Sequence, residues 1–172
     1  MTRKITKPDT DLELTEFLPY LLNRAGVKTG QIFSQDLEKE GIVLSEWRIM
    51  IALWQKGNLR LKKLAETTVS DLSTMSRQVR AMEKAGLIAR KQSNTDGRAI
   101  NLVLTPKGRS VTAKLIPIAR LHERIATDGI TEKDIATMRR CAAKIYSNLD
   151  AFDKRRQRKR IIKNFLKRKL VG

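Results

Sequence analysis

Hydrophobic residues recur at helical spacing along most of this chain and switch to every second position only once. Leu18, Leu21, Leu22, Ala25, Ile32, Phe33 and Leu37 follow the 3.6-residue period. They predict a helix reaching to about Glu40, with Pro19 in its first turn and Gly41 as its stop. Leu44-Ser45-Glu46 opens a second helix, with Trp47, Ile51 and Trp54 on one face and Gly57 at its end. Leu59-Arg60-Leu61 reads as a short strand, and Leu61 to Thr67 as a short third helix. The turn Val69-Ser70-Asp71 follows, in which Ser70 or Asp71 is a good cap. A fourth helix, Leu72 to Ala85, is expected to turn Leu72, Met75, Val79 and Met82 inward, with Gly86 ending it.

The period then changes. Ile88 to Gln92 and Ile100 to Thr105 alternate with period two, as a hairpin does. Thr105-Pro106 is a cap followed by proline at the first helical position. It opens a fifth helix with Val111, Leu115, Ile118, His122 and Ile125 on one face and an expected bend at Pro117. Gly129 breaks that helix, and Thr131 caps a sixth, with Asp134 reaching back. On the sixth helix Ile135, Met138, Ala142, Ile145, Leu149 and Phe152 recur at alternating spacings of three and four, a narrow seam suited to packing another helix.

This order predicts a mainly α fold with a small β-hairpin wing. A winged helix-turn-helix, expected to bind DNA, occupies 44–105, and helical dimerisation arms occupy 17–43 and 106–152. An N-terminal arm at 1–16 and a basic C-terminal tail at 153–172 complete the chain. The long outer helices are amphipathic and too extensive for so small a core to cover. Burial against a second copy, in a homodimer, is the economical solution.

Charge sharpens the picture. The chain carries a net +18, concentrated in two segments. Residues 56–109 hold twelve Lys/Arg against four Asp/Glu, and residues 151–172 hold ten against one. The first of these is the helix and hairpin unit itself, so the expected partner is a polyanion. One cysteine excludes an intramolecular disulfide and a multi-cysteine zinc site, and one histidine excludes a histidine-rich metal site within one chain. No cofactor is expected. No Ser/His/Asp set, phosphate loop or paired carboxylates in a plausible cleft is present, which argues against an enzyme. There is no run of 18 apolar residues and no apolar core in MTRKITKPDTDLELTEF, so neither a membrane span nor a signal peptide is expected, and the expected location is the cytoplasm.

Five motifs stand together: Leu64-Ala65-Glu66, Ser73-Thr74-Met75-Ser76-Arg77, Met82-Glu83-Lys84-Ala85-Gly86-Leu87-Ile88, Asp96-Gly97-Arg98 and Leu104-Thr105-Pro106-Lys107-Gly108. In combination they resemble the multiple-antibiotic-resistance regulator (MarR) family of bacterial transcription factors, over residues 17 to 152. The resemblance implies a homodimer with two winged helix-turn-helix lobes. It also implies a regulator, usually a repressor, often relieved by a small aromatic acid or by oxidation. Two symmetric lobes imply a pseudo-palindromic operator in double-stranded DNA.

The resemblance also turns Ser73, Thr74, Ser76 and Arg77 toward the groove, with Arg80 beside them. Short hydroxyls at a helix N-terminus can approach phosphates and base edges, and Arg77 can fork onto a guanine. On the wing, Arg98 is the best candidate to enter a narrow minor groove. Asp96 would brace an arginine, and Arg90 and Lys91 would neighbour phosphates. The family's ligand pockets lie between the dimer arm and the reading lobe. Tyr20, Asn23, Arg24, Trp47 and His122 could line one, Arg24 suiting a carboxylate and Trp47 a ring. Set against this, Trp47, Trp54 and His122 also read as core, and Arg24 as solvated. Cys141 adjoins the seam and reads as a buried structural thiol.

The tail beginning Lys154-Arg155-Arg156 is basic and amphipathic, and exceeds the family's usual length. Added non-specific DNA affinity is the preferred role, ahead of binding to an anionic membrane or of a disordered segment. The alternative for the whole chain is an architectural nucleoid-type protein that binds DNA by charge without sequence preference. The hydroxyl-rich reading face argues against it.

Overall fold

Each periodic segment becomes an element close to its expected bounds. The computed structural model describes residues 12–92 and 100–154. The helices are α1 (Leu18–Glu38), α2 (Leu44–Lys56), α3 (Leu61–Thr68), α4 (Leu72–Lys84), α5 (Pro106–Ala126) and α6 (Glu132–Lys154). Strands β1 (Ile88–Gln92) and β2 (Ile100–Leu104) pair antiparallel, in a register running from Ile88 opposite Leu104 to Gln92 opposite Ile100. The wing tip, with Asp96 and Arg98, the first eleven residues and the tail from Arg155 lie outside the described residues.

Chain contacts divide the protein into two units, residues 22–126 and residues 1–21 with 127–172. The first holds the apolar core. Leu37 of α1, Ile49, Met50 and Leu53 of α2, Leu64 of α3, Met75, Val79 and Met82 of α4, Leu102 of β2 and Leu115 of α5 are all fully buried. Met75, Val79 and Met82 are spaced four and three apart, so α4 presents one apolar stripe inward and leaves the opposite face to solvent. In the second unit, the Thr131 hydroxyl donates to Asp134 Oδ2 (2.7 Å) and accepts the Asp134 N–H (3.2 Å), the reciprocal cap expected there. Along α6, Met138 (55% exposed) and Leu149 (62%) face solvent in the single chain, while Ile135 is buried.

The structure corrects four expectations. Leu72 is not inward but 52% exposed, because it sits in the first turn of α4, beyond the reach of the core. Cys141 is exposed rather than buried, as are its neighbours from 139 to 144. Leu59-Arg60-Leu61 is not a strand; only Leu59 joins the sheet, exchanging backbone bonds with Leu102 (3.2 and 2.8 Å), while Leu61 already belongs to α3. Ile125, placed on the apolar face of α5, is exposed in its last turn. Pro117 lies inside α5, which continues past it to Ala126.

Candidate nucleic-acid interface

The base of α4 is built on Asp71. Its carboxylate accepts the Thr74 N–H (2.8 Å) and the Ser73 hydroxyl (2.6 Å), which closes the helix N-terminus. These bonds hold the Asp71 carboxyl well below the usual carboxylate range, the Ser73 hydroxyl contributing most and the Thr74 N–H next. Ser73 and the Thr74 N–H therefore serve the helix cap before they can serve a ligand. Arg77 Nη2 donates to Thr74 Oγ1 (3.3 Å), leaning the guanidinium along the exposed face. Ser73, Arg77, Arg80 and Lys84 are all exposed opposite the Met75–Val79–Met82 stripe, while Thr74 and Ser76 sit half-buried on the flanks. Sequence reasoning did not single out Lys84, although helical spacing puts it on the same face.

The far end of α4 is joined to the wing at one corner. Gly86 takes a positive φ of 72°, which lets the chain reverse so that the Leu87 N–H reaches back to the Met82 carbonyl (2.9 Å). Thr105 gathers this corner. Its hydroxyl donates to the Gly86 carbonyl (2.6 Å) and accepts the Gly108 N–H (3.0 Å), and its own N–H donates to the Leu87 carbonyl (3.1 Å). Lys107 Nζ adds a bond to the Ala85 carbonyl (2.9 Å). Gly108 lies so close to Leu87 that a Cβ there would overlap the Leu87 carbonyl. The physical content of Leu104-Thr105-Pro106-Lys107-Gly108 is thus a clasp between α5 and the start of the wing.

Arg90 and Lys91 part company. Arg90 Nε donates to both Glu83 carboxylate oxygens (2.9 and 3.1 Å), bracing β1 against α4. Successive strand residues point to opposite faces, so Lys91 projects from the other face of the hairpin and is exposed. The acidic groups among the described residues from 56 to 109 are all engaged. Glu66 pairs with Lys63 (3.1 Å), Glu83 with Arg90, and Asp71 with the α4 cap. What remains on the surface is a field of positive charge around an exposed helix face, an arrangement suited to a phosphate backbone.

Residues 42–100 match the MarR family. The chain is similar to that family from α2 to the start of β2. It is 28% identical over 107 residues to the organic hydroperoxide resistance transcriptional regulator of Bacillus subtilis, covering 62% of this chain and 73% of that protein. The MarR fold extends over more of the chain than the matched segment. A MarR family transcriptional regulator from Silicibacter pomeroyi superposes with a TM-score of 0.75 at 28% identity, covering 83% of this chain and 97% of that one. BpsR of Bordetella bronchiseptica, whose DNA binding is regulated by 6-hydroxynicotinic acid, has the same fold, with a TM-score of 0.70 at 20% identity over 79% and 97% of the two chains.

Of the residues considered for a ligand, Trp47 and His122 flank the same ring, that of Phe33. Trp47 packs edge-on against Phe33 in the core, with ring centroids 5.5 Å apart. His122 Nε2 is 2.8 Å from Asp36 Oδ2, where it joins α5 to α1, and its ring tilts against Phe33. Lys39 and His122 both lower the Asp36 pKa, Lys39 more strongly. Asn23 borders an open groove of about 530 Å³ lined by Leu22, Val27 and Ser34 of α1 and Leu44 and Arg48 of α2. Arg24 does not line it. Arg48, not Arg24, is the cation of that groove, and only the packing of α1 on α2 reveals it.

Proposed function

We propose that this protein is a homodimeric, sequence-specific DNA-binding transcriptional repressor of the bacterial cytoplasm. The carrying observation is the outward face of α4. Arg77, Arg80 and Lys84 stand opposite the buried methionine–valine stripe, on a lobe where Glu66 and Glu83 are already paired with cations. A helix presented this way suits the major groove, with the hairpin beside it over the adjacent minor groove. In this reading Ser76, Arg77 and Arg80 meet the duplex, Ser73 and Thr74 hold the helix start, Lys91 and Arg98 approach the backbone and minor groove, and Arg90 is a brace. The Ile135, Met138, Ala142, Ile145, Leu149 and Phe152 seam joins two copies, for which the exposure of Met138 and Leu149 in the single chain is the motive.

The effector in this reading is a small aromatic acid, and the groove beside Asn23 and Arg48 offers it an apolar wall with one cation. The similarity of fold to BpsR supports a small acid as the class.

Selection of bound duplexes from a random-sequence library tests the reading. The expected result is a pseudo-palindromic sequence bound by a dimer, with Ile145→Asp monomeric in sedimentation and weak on the same duplex. Binding with no sequence preference would replace this reading with the architectural one, which the ten Lys/Arg of residues 151–172 favour.

A further inference from the structure

The turn and first residue of α4 carry two aliphatic side chains that the core does not use. Leu72 is 52% exposed and Val69 72% exposed, one on each side of the Asp71 cap. Val69 is the sole non-glycine among the described residues with a positive φ (54°), a costly backbone for a β-branched side chain. Leu72, Ser76 and Arg80 follow one another at intervals of four, so they form a row along one flank of the helix. The row passes from an aliphatic group at the helix N-terminus to a hydroxyl to a guanidinium.

We propose that Leu72 is a specificity-determining residue that reads the 5-methyl groups of thymines in the major groove. The inference rests on the DNA-binding reading above and adds what this position recognises. N-terminal residues of a reading helix approach base edges most closely. Thymine is the base that shows an apolar group at the major-groove edge, and aliphatic contact is how proteins recognise it. Charge complementarity identifies the occupant. Leu72 lies on the same helix as Arg77, Arg80 and Lys84, and the nearby acid, Asp71, accepts the Thr74 N–H and the Ser73 hydroxyl at Oδ1. An acidic duplex is drawn to this surface, whereas a neutral apolar partner would have to strip water from those cations.

The test is a cycle between protein and base. The duplex recovered by selection is remade with deoxyuridine replacing thymine at one position at a time, which removes only the methyl group. Wild-type protein should lose about fourfold in affinity at one or two positions per half-site, the factor for leaving one methyl-sized group unburied. Leu72→Ala should bind the thymine duplex about as weakly as wild type binds the deoxyuridine duplex, and should lose nothing more on the latter. Leu72→Met, which keeps an apolar tip, should retain the discrimination, and unchanged unfolding midpoints for both variants establish that the lobe is intact. Equal sensitivity of wild type and Leu72→Ala at every thymine would overturn the proposal while leaving base reading by α4 standing. So would an equal loss of Leu72→Ala on selected and random DNA. Failure to recover any preferred sequence would remove both readings.

Discussion

Alanine at Gly108 should unfold this protein more readily, against the usual trend for a glycine in a helix. Gly108 is the third residue of α5, and exchanging a helical glycine for alanine ordinarily stabilises by about 0.5–1 kcal/mol. Here the added Cβ would stand 3.2 Å from Leu104 Cδ2 and 3.0 Å from the Leu87 carbonyl carbon, with the Leu87 oxygen closer still. Backbone on one side and a buried leucine on the other leave no flexible group to yield. Overpacking of this kind costs about 1–3 kcal/mol. Relief requires α5 to draw back from the wing, which lengthens the Thr105 bonds to Gly86 and Leu87, each contributing about 1 kcal/mol. Set against the gain in helix propensity, the net loss is about 2–4 kcal/mol. In a chain of this size that corresponds to a fall in midpoint of roughly 5–15 °C. Urea and thermal unfolding at one fixed protein concentration measure it, which holds constant any contribution from self-association. Gly26→Ala is the matched control. A Cβ at Gly26 meets nothing within 4 Å, so that variant should gain about 0.5–1 kcal/mol. If Gly108→Ala is as stable as wild type or more so, the clasp does not constrain α5 as argued.

Arg77→Ala should relax preference by about 1–3 kcal/mol at one base position per half-site, read from selection profiles, with the fold unchanged; an unaltered profile would place the reading face elsewhere. Asp71 should titrate below the ordinary carboxylate range in a carboxyl NMR titration, because its folded form accepts the Ser73 and Thr74 bonds. A depressed folded-state pKa gives stability that is full above the unfolded value and fades as pH falls through the folded one, so the α4 cap should persist at pH 5. Deleting residues 154–172 removes ten Lys/Arg and should lower affinity for operator and random DNA by similar factors, flattening the salt dependence by a few units per dimer at about 0.9 per phosphate neutralised. An unchanged slope would assign the tail to a partner other than DNA.

How far the sequence discloses this molecule depends on whether a residue's role is local. Met75, Val79 and Met82 are legible because a single helix sets their spacing, and one core receives all three. The caps at Asp71 and Thr131 are legible because donor and acceptor lie within three residues. Leu72 was misplaced because a helical wheel has no ends, while the real α4 begins where the core stops. Glu83 and Arg90 are seven apart with a reversal between them, so no single period brings them together. The string around Gly108 is conspicuous in the sequence, but the reason for glycine lies in Leu87, across the α4–β1 corner. Likewise Arg48 lines a groove that exists only once α1 has packed on α2. The roles expected of Asp96 and Arg98 remain expectations from the motif, outside the described residues.

The Leu59 bridge to Leu102 has a mechanical consequence. It fastens the hairpin to the link between α2 and α3, while Arg90 fastens it to α4 and Thr105 fastens its base to α5. Three independent moorings leave the paired strands β1 and β2 little freedom to swing on their own. Helix α4 and the two strands then travel as a single rigid tool. A signal that turns binding on or off has less to gain by reshaping the tool than by changing how the tool is held.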